Sequence, residues 1–230
     1  MAEHSGSRHG PESARRLPAL RQLSRAGFIE YDRVIFFSDA VFAIAITLLA
    51  INLHGPGGGK VSAHEIGLAI PRIVGFAISF VVIAFFWLAH HGIFRYVVAL
   101  DRPLIALNLA FLALIAFLPY PTDLLSASST TASVIFYATC CALAGLAQAA
   151  FWLYATRSPT GLTSPAAEPV RTYILLRVLR VPCVFLLSIP VAIVAPRIAP
   201  FIWLLIWISG ALLNRFLPLP GAPEEDGLSG

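Results

Sequence analysis

Polar and apolar residues along this chain do not alternate; they come in blocks. Long apolar runs at about 34–53, 66–91, 104–125, 132–156, 174–195 and 199–217 are separated by short stretches rich in Pro, Gly, Ser and Arg. A helix crossing hydrocarbon needs roughly 20 apolar residues, and only helices or closed barrels satisfy their backbone there. Continuous runs of this length predict helices, because barrel strands are shorter and alternate. The predicted fold class is therefore an all-α membrane protein with six transmembrane helices per chain, within residues 31–217.

Composition supports that solvent. Of 230 residues, 58% are hydrophobic and only 12% charged, and the mean hydropathy is +0.80, outside the range of water-soluble domains. Residues 1–30 are polar and Arg-rich with no apolar segment of a cleavable signal, so they read as a basic cytoplasmic arm, and 218–230 read as a disordered tail. With the arm inside and the helices alternating, only Lys60, Arg72 and Arg197 fall on the outer side. This bias predicts a multi-pass protein of the cell membrane with both termini cytoplasmic. The net charge of +4 then reports orientation and attraction to an anionic bilayer; no interleaved basic and aromatic patch points to nucleic acid. Cys140, Cys141 and Cys183 all fall in predicted spans and read as buried apolar thiols, and no metal site is expected.

The first span carries the chemistry. In "FFSDAVFAIAITLLAINL", at about 100° per residue, Ile44, Leu48 and Ile51 share a stripe with Thr47 on its flank, while Asp39 points nearly the opposite way. A membrane carboxylate is costly unless paired. Trp87, His90 and His91 lie near the same end of the second span, which predicts a polar knot joining Ser38 and Asp39 to that helix, with Arg33 as a further donor. Taken alone, such an aliphatic stripe more often faces lipid or packing neighbours, and a lone Thr such as Thr47 more often bonds to its own helix backbone. Pro71, Pro119, Pro121, Pro182 and Pro190 are expected to bend helices, and Gly145 with Ala149 offers a close helix contact.

The run "RVIFFSDAVFAIAITLL", followed by "WLAHH" in the second span and "LNLAFLALIAFLPYPTDLL" in the third, resembles the bacterial branch of the transmembrane protein 175 family, potassium channels related to the endolysosomal potassium channel. The resemblance covers the first three spans. It implies a homotetramer with a central pore lined by the first helix, passing K+ and other monovalent cations without a cofactor or a carbonyl filter. By position it implies that Ile44, Leu48 and Ile51 form an apolar constriction and Thr47 a hydroxyl layer. Arg33, Ser38, Asp39, Trp87 and His90 would form the inter-helix network. Asn52 stands where relatives often carry an acid. The rival reading is a proton-coupled or other secondary transporter, disfavoured because no carboxylate lies near the midplane and no inverted repeat is visible. An enzyme is not expected, since no activated nucleophile or metal trio converges.

Overall fold

The computed structural model describes the backbone of residues 11–51, 53, 63–159 and 161–216, and side chains from Tyr31 onward except at 63–65, 214 and 216. Residues 1–10, Asn52, the glycine-rich segment 54–62, Thr160 and residues 217–230 lie outside the described residues, as do the side chains of residues 11–30. The described chain is helical: α1 Pro11–Ile51, α2 Ala63–Phe94, α3 Arg102–Phe117, α4 Pro119–Ala127, α5 Thr131–Arg157, α6 Arg171–Val194, α7 Ala199–Ile202 and α8 Leu205–Phe216. Five stretches are long and apolar enough to cross a membrane, with α3 and α4 together forming the third, and Ala199–Leu213 is a shorter apolar helical stretch.

Two predicted spans are broken. The third is interrupted at Leu118, because Pro119 and Pro121 bring no N–H to the ladder. The turn tightens there: Leu118 N donates to Ile115 O at 3.2 Å, and Thr122 Oγ1 sits 2.8 Å from Leu118 O. That hydroxyl also lies 2.8 Å from Ser79 Oγ, itself 3.0 Å from the Tyr137 hydroxyl, so the break is tied to α2 and α5 by buried polar groups. The sixth span divides into α7 and α8 around Trp203, whose indole N–H donates to Ser188 Oγ of α6 at 3.0 Å.

Helix α5 is the hub. Of its most apolar window 61% is buried, against 22% for α1. It packs most extensively on α6, where Gly145 lies against the ring of Pro182: a Cβ there would stand 2.6 Å from Pro182 Cδ. Cys140 and Cys141 are buried but Cys183 is exposed, correcting the sequence expectation. The residue after Pro182 necessarily points away from the α5 contact that Pro182 makes.

One end of the bundle is closed by loops. Val97 and Thr163 form an isolated antiparallel bridge, with Val98 N donating to Leu162 O at 2.9 Å and Ser164 N to Tyr96 O at 2.8 Å. Asp101 caps α3 through Leu104 N at 2.9 Å and accepts from the Tyr154 hydroxyl at 2.7 Å. The Tyr31 hydroxyl reaches Phe94 O at 2.8 Å and Val97 O at 2.9 Å, fastening the start of the first span to this closed end.

The α5–α6 contact yields a test. Gly145→Ala forces its methyl into the Pro182 ring and is expected to cost about 1–3 kcal/mol, read as a lower melting temperature in detergent. An unchanged melting temperature would show that this helix pair is loosely seated.

Candidate functional site

Helix α1 has two unequal sides. Phe42 and Ala45 are each 1% exposed and Leu49 2%, on the side where α1 packs against α2, α3 and α4. On the opposite side Ile44 is 57% and Ile51 66% exposed, with Leu48 and Thr47 also open. The open side is continuous: Arg33, Phe36, Phe37, Ala40, Ala43, Ile44, Thr47, Leu48 and Ile51 are all uncovered within the protomer. Thr47 Oγ1 donates its proton to Ile44 O at 2.9 Å. The hydroxyl oxygen therefore keeps its lone pairs for whatever lies alongside that face, which is the polarity a cation requires.

The buried side is fixed to α2 and α3 by two polar connections. In the first, Trp87 Nε1 donates to Asp39 Oδ1 at 2.9 Å, and the indole stacks on the His91 ring with centroids 5.6 Å apart. The second runs through α3. His90 Nε2 lies 2.9 Å from Asn108 Oδ1, Asn108 Nδ2 donates to Ser38 Oγ at 3.0 Å, and Ser38 Oγ donates to Val34 O at 2.8 Å. An amide oxygen only accepts, so the proton between His90 and Asn108 sits on His90 Nε2. His90, Asn108 and Ser38 are all buried. The imidazole is walled by aromatic rings: Phe111 stacks on it at 5.5 Å, Phe94 at 4.7 Å and Phe42 at 5.5 Å, measured between centroids.

The single knot expected from the sequence is thus two connections, with Ser38 and His90 in one and Asp39 and Trp87 in the other. Ser38 and Asp39 project about 100° apart around the helix, so each meets a different neighbour. Arg33 joins neither. It stands about 140° from Ser38 and 120° from Asp39 on ideal geometry, on the exposed side, and has no hydrogen-bond or ion-pair partner among the described residues. Asn108 had no assigned role in the sequence reading. Its signal was a lone amide inside the apolar run of α3, where an unpaired polar group is expensive. Gln148 of α5 is similar: its Nε2 donates to Phe86 O of α2 at 3.1 Å. No group of three or more metal-binding side chains occurs among the described residues.

The family model described as the endosomal/lysosomal potassium channel TMEM175 matches residues 33–119, the interval holding every residue of the two connections and of the open stripe. A potassium channel of Streptomyces collinus is 37% identical over 157 residues, covering 62% of this chain and 74% of that protein. The chain belongs to the TMEM175 family. A potassium channel of Chamaesiphon minutus is 38% identical over 101 residues, 42% of this chain and 50% of that relative. The crystal structure of a lysosomal potassium-selective channel TMEM175 homolog from Chamaesiphon minutus superposes with a TM-score of 0.67 at 25% identity, covering 80% of this chain and 97% of that one. Membership of TMEM175 and the apolar spans together make this a multi-pass membrane protein.

The connection through Asn108 can be tested directly. Asn108→Leu leaves Ser38 and His90 buried without their partner and is expected to destabilise by about 1–3 kcal/mol. Trp87→Phe removes one interhelical bond, for which the average in membranes is about 0.6 kcal/mol. Thermal melting of the two purified variants should rank Asn108→Leu lower; the reverse order would place the main anchor at Asp39.

Proposed function

We propose that the protein is a potassium-selective cation channel of the cell membrane, a homotetramer whose pore is lined by the open side of α1. The observation carrying this is the contrast across that helix. One edge is locked into the protomer by Asp39–Trp87 and by the Ser38–Asn108–His90 connection, while a largely apolar stripe from Phe36 to Ile51 with one hydroxyl is left for partners. The names of the Streptomyces and Chamaesiphon relatives support the same reading. In it, Arg33 faces a neighbouring subunit or the pore mouth, both termini are cytoplasmic, residues 1–30 are a basic arm, and residues 218–230 are a tail.

Four copies of Ile44, Leu48 and Ile51 form rings of branched hydrocarbon that exclude ions by dewetting when narrow. Selectivity then depends on ring diameter and on the dipoles beside it. Thr47 supplies these, since its proton is committed to Ile44 O and its oxygen is free to replace part of a cation's hydration. No cofactor is needed, only the permeating K+. A passive pore gives unitary currents in planar bilayers, whereas a secondary transporter gives slow, saturable, proton-coupled flux.

Three substitutions separate the roles. Ile44→Asn is expected to widen and wet the constriction, raising conductance and lowering the potassium-to-sodium permeability ratio; an unchanged ratio would remove Ile44 from the constriction. Thr47→Val keeps the shape and deletes the oxygen, and is expected to lower the ratio by up to about tenfold, or about 1.4 kcal/mol. Asp39→Ala is expected to reduce recovery of the tetramer on gel filtration while leaving the ratio of the assembled fraction unchanged. An intact tetramer with altered selectivity would move Asp39 from anchor to pore.

A further inference from the structure

A second polar feature lies away from the pore stripe, where the last turns of α2 face the first turns of α6. These two helices touch only sparsely, and between them opens a cleft of about 80 Å³ lined by Leu88, Ala89, Gly92, Arg95, Tyr96, Tyr173, Ile174, Arg177 and Val178. A single water needs about 10–15 Å³ of such space, so the cleft holds several waters or one compact polyatomic group. The opening is built by small residues on α2. A Cβ placed at Gly92 would meet nothing within 4 Å.

The charge in this cleft is one-sided. Arg95 lies in the turn just after α2 and Arg177 on α6, both side chains are exposed, and neither has a carboxylate partner among the described residues. Arg177 also sits close enough to Arg180 for their like charges to act on each other. Arg180 adds to the positive charge there, with its Nη1 donating to Ile206 O of α8 at 3.1 Å. Uncompensated cations at the edge of hydrocarbon call for an anion, and guanidinium forks match phosphate oxygens bidentately. The remaining wall is apolar, running from Ile174 and Val178 to the exposed Leu88. This sequence of polarity, from cation to phenol to aliphatic, is that of a phospholipid at its headgroup.

We propose that this cleft is a binding site for a phosphate-class anion held between Arg95 and Arg177, with the headgroup phosphate of an anionic phospholipid as the ligand its amphipathic wall fits. Two kinds of variant isolate it without touching α1. Arg95→Gln with Arg177→Gln removes the charge, and Gly92→Leu fills the open space while leaving both arginines in place.

The test is native mass spectrometry of the full-length protein titrated with phosphatidylglycerol, phosphatidylcholine or inorganic phosphate, each variant first matched to the wild type by gel filtration. Wild type is expected to retain phosphatidylglycerol saturably, one per chain, in preference to phosphatidylcholine. Loss of each arginine should weaken retention about fivefold, and Gly92→Leu should abolish it with the charge intact. Binding of inorganic phosphate that is lost in the same variants, without lipid retention, would support the anion site and overturn the lipid as its source. Equal retention of both lipids, or phosphatidylglycerol binding undiminished in the double Gln and Gly92→Leu variants, would overturn the site itself.

Discussion

In hydrocarbon, apolar helices gain little by leaving lipid for one another, because acyl chains are as apolar as leucine. What fixes α1 against the rest of the protomer must be close packing and polar bonds, and α1 has little of the first. Phe42, Ala45 and Leu49 form a narrow buried edge, flanked toward one end by Asp39–Trp87 and by Ser38–Asn108–His90. These bonds set the rotation of the helix about its own axis. Rotation in turn decides which residues face outward, so the position of Ile44, Thr47, Leu48 and Ile51 on the open side follows from an anchor that touches none of them.

The rest of the bundle supplies the frame for that anchor. α5 is buried over most of its length and accepts α6 closely because Gly145 leaves room for Pro182. Prolines elsewhere interrupt backbone ladders, and hydroxyls gather at one such break: Ser79, Thr122 and Tyr137 converge beside Leu118. A helix break in a membrane is tolerated where neighbouring groups satisfy the freed backbone. α3 can therefore bend after Phe117 while still presenting Asn108 to α1.

Much of this was legible in the chain. Block hydropathy marks the spans, and the spacing of Ile44, Leu48 and Ile51 separates them from Asp39. Where the reading fell short, the cause is that periodicity orders residues around one helix and says nothing of which neighbour they meet. Ser38 and Asp39 share a depth with Trp87 and His90, which suggests one cluster, although their 100° separation sends them to different helices. Arg33 was included on proximity, though its angle points it outward. Hydropathy points to burial of Cys183, which is exposed, because hydropathy does not distinguish lipid from protein as the apolar surroundings. The division of the sixth span falls at Trp203, which bonds to Ser188 of α6, a tertiary contact with no local signature.

The direction of the hydrogen bonds through Asn108 carries one more consequence. His90 gives to Asn108, Asn108 gives to Ser38, and Ser38 gives to a main-chain carbonyl of its own helix. A Grotthuss wire requires each link to take a hydrogen on one side while releasing another, and to turn around afterwards. A backbone carbonyl has none to release, and a carboxamide does not readily exchange its own. The line is consequently a strut and not a conduit: it can bear load between three helices without passing charge along itself.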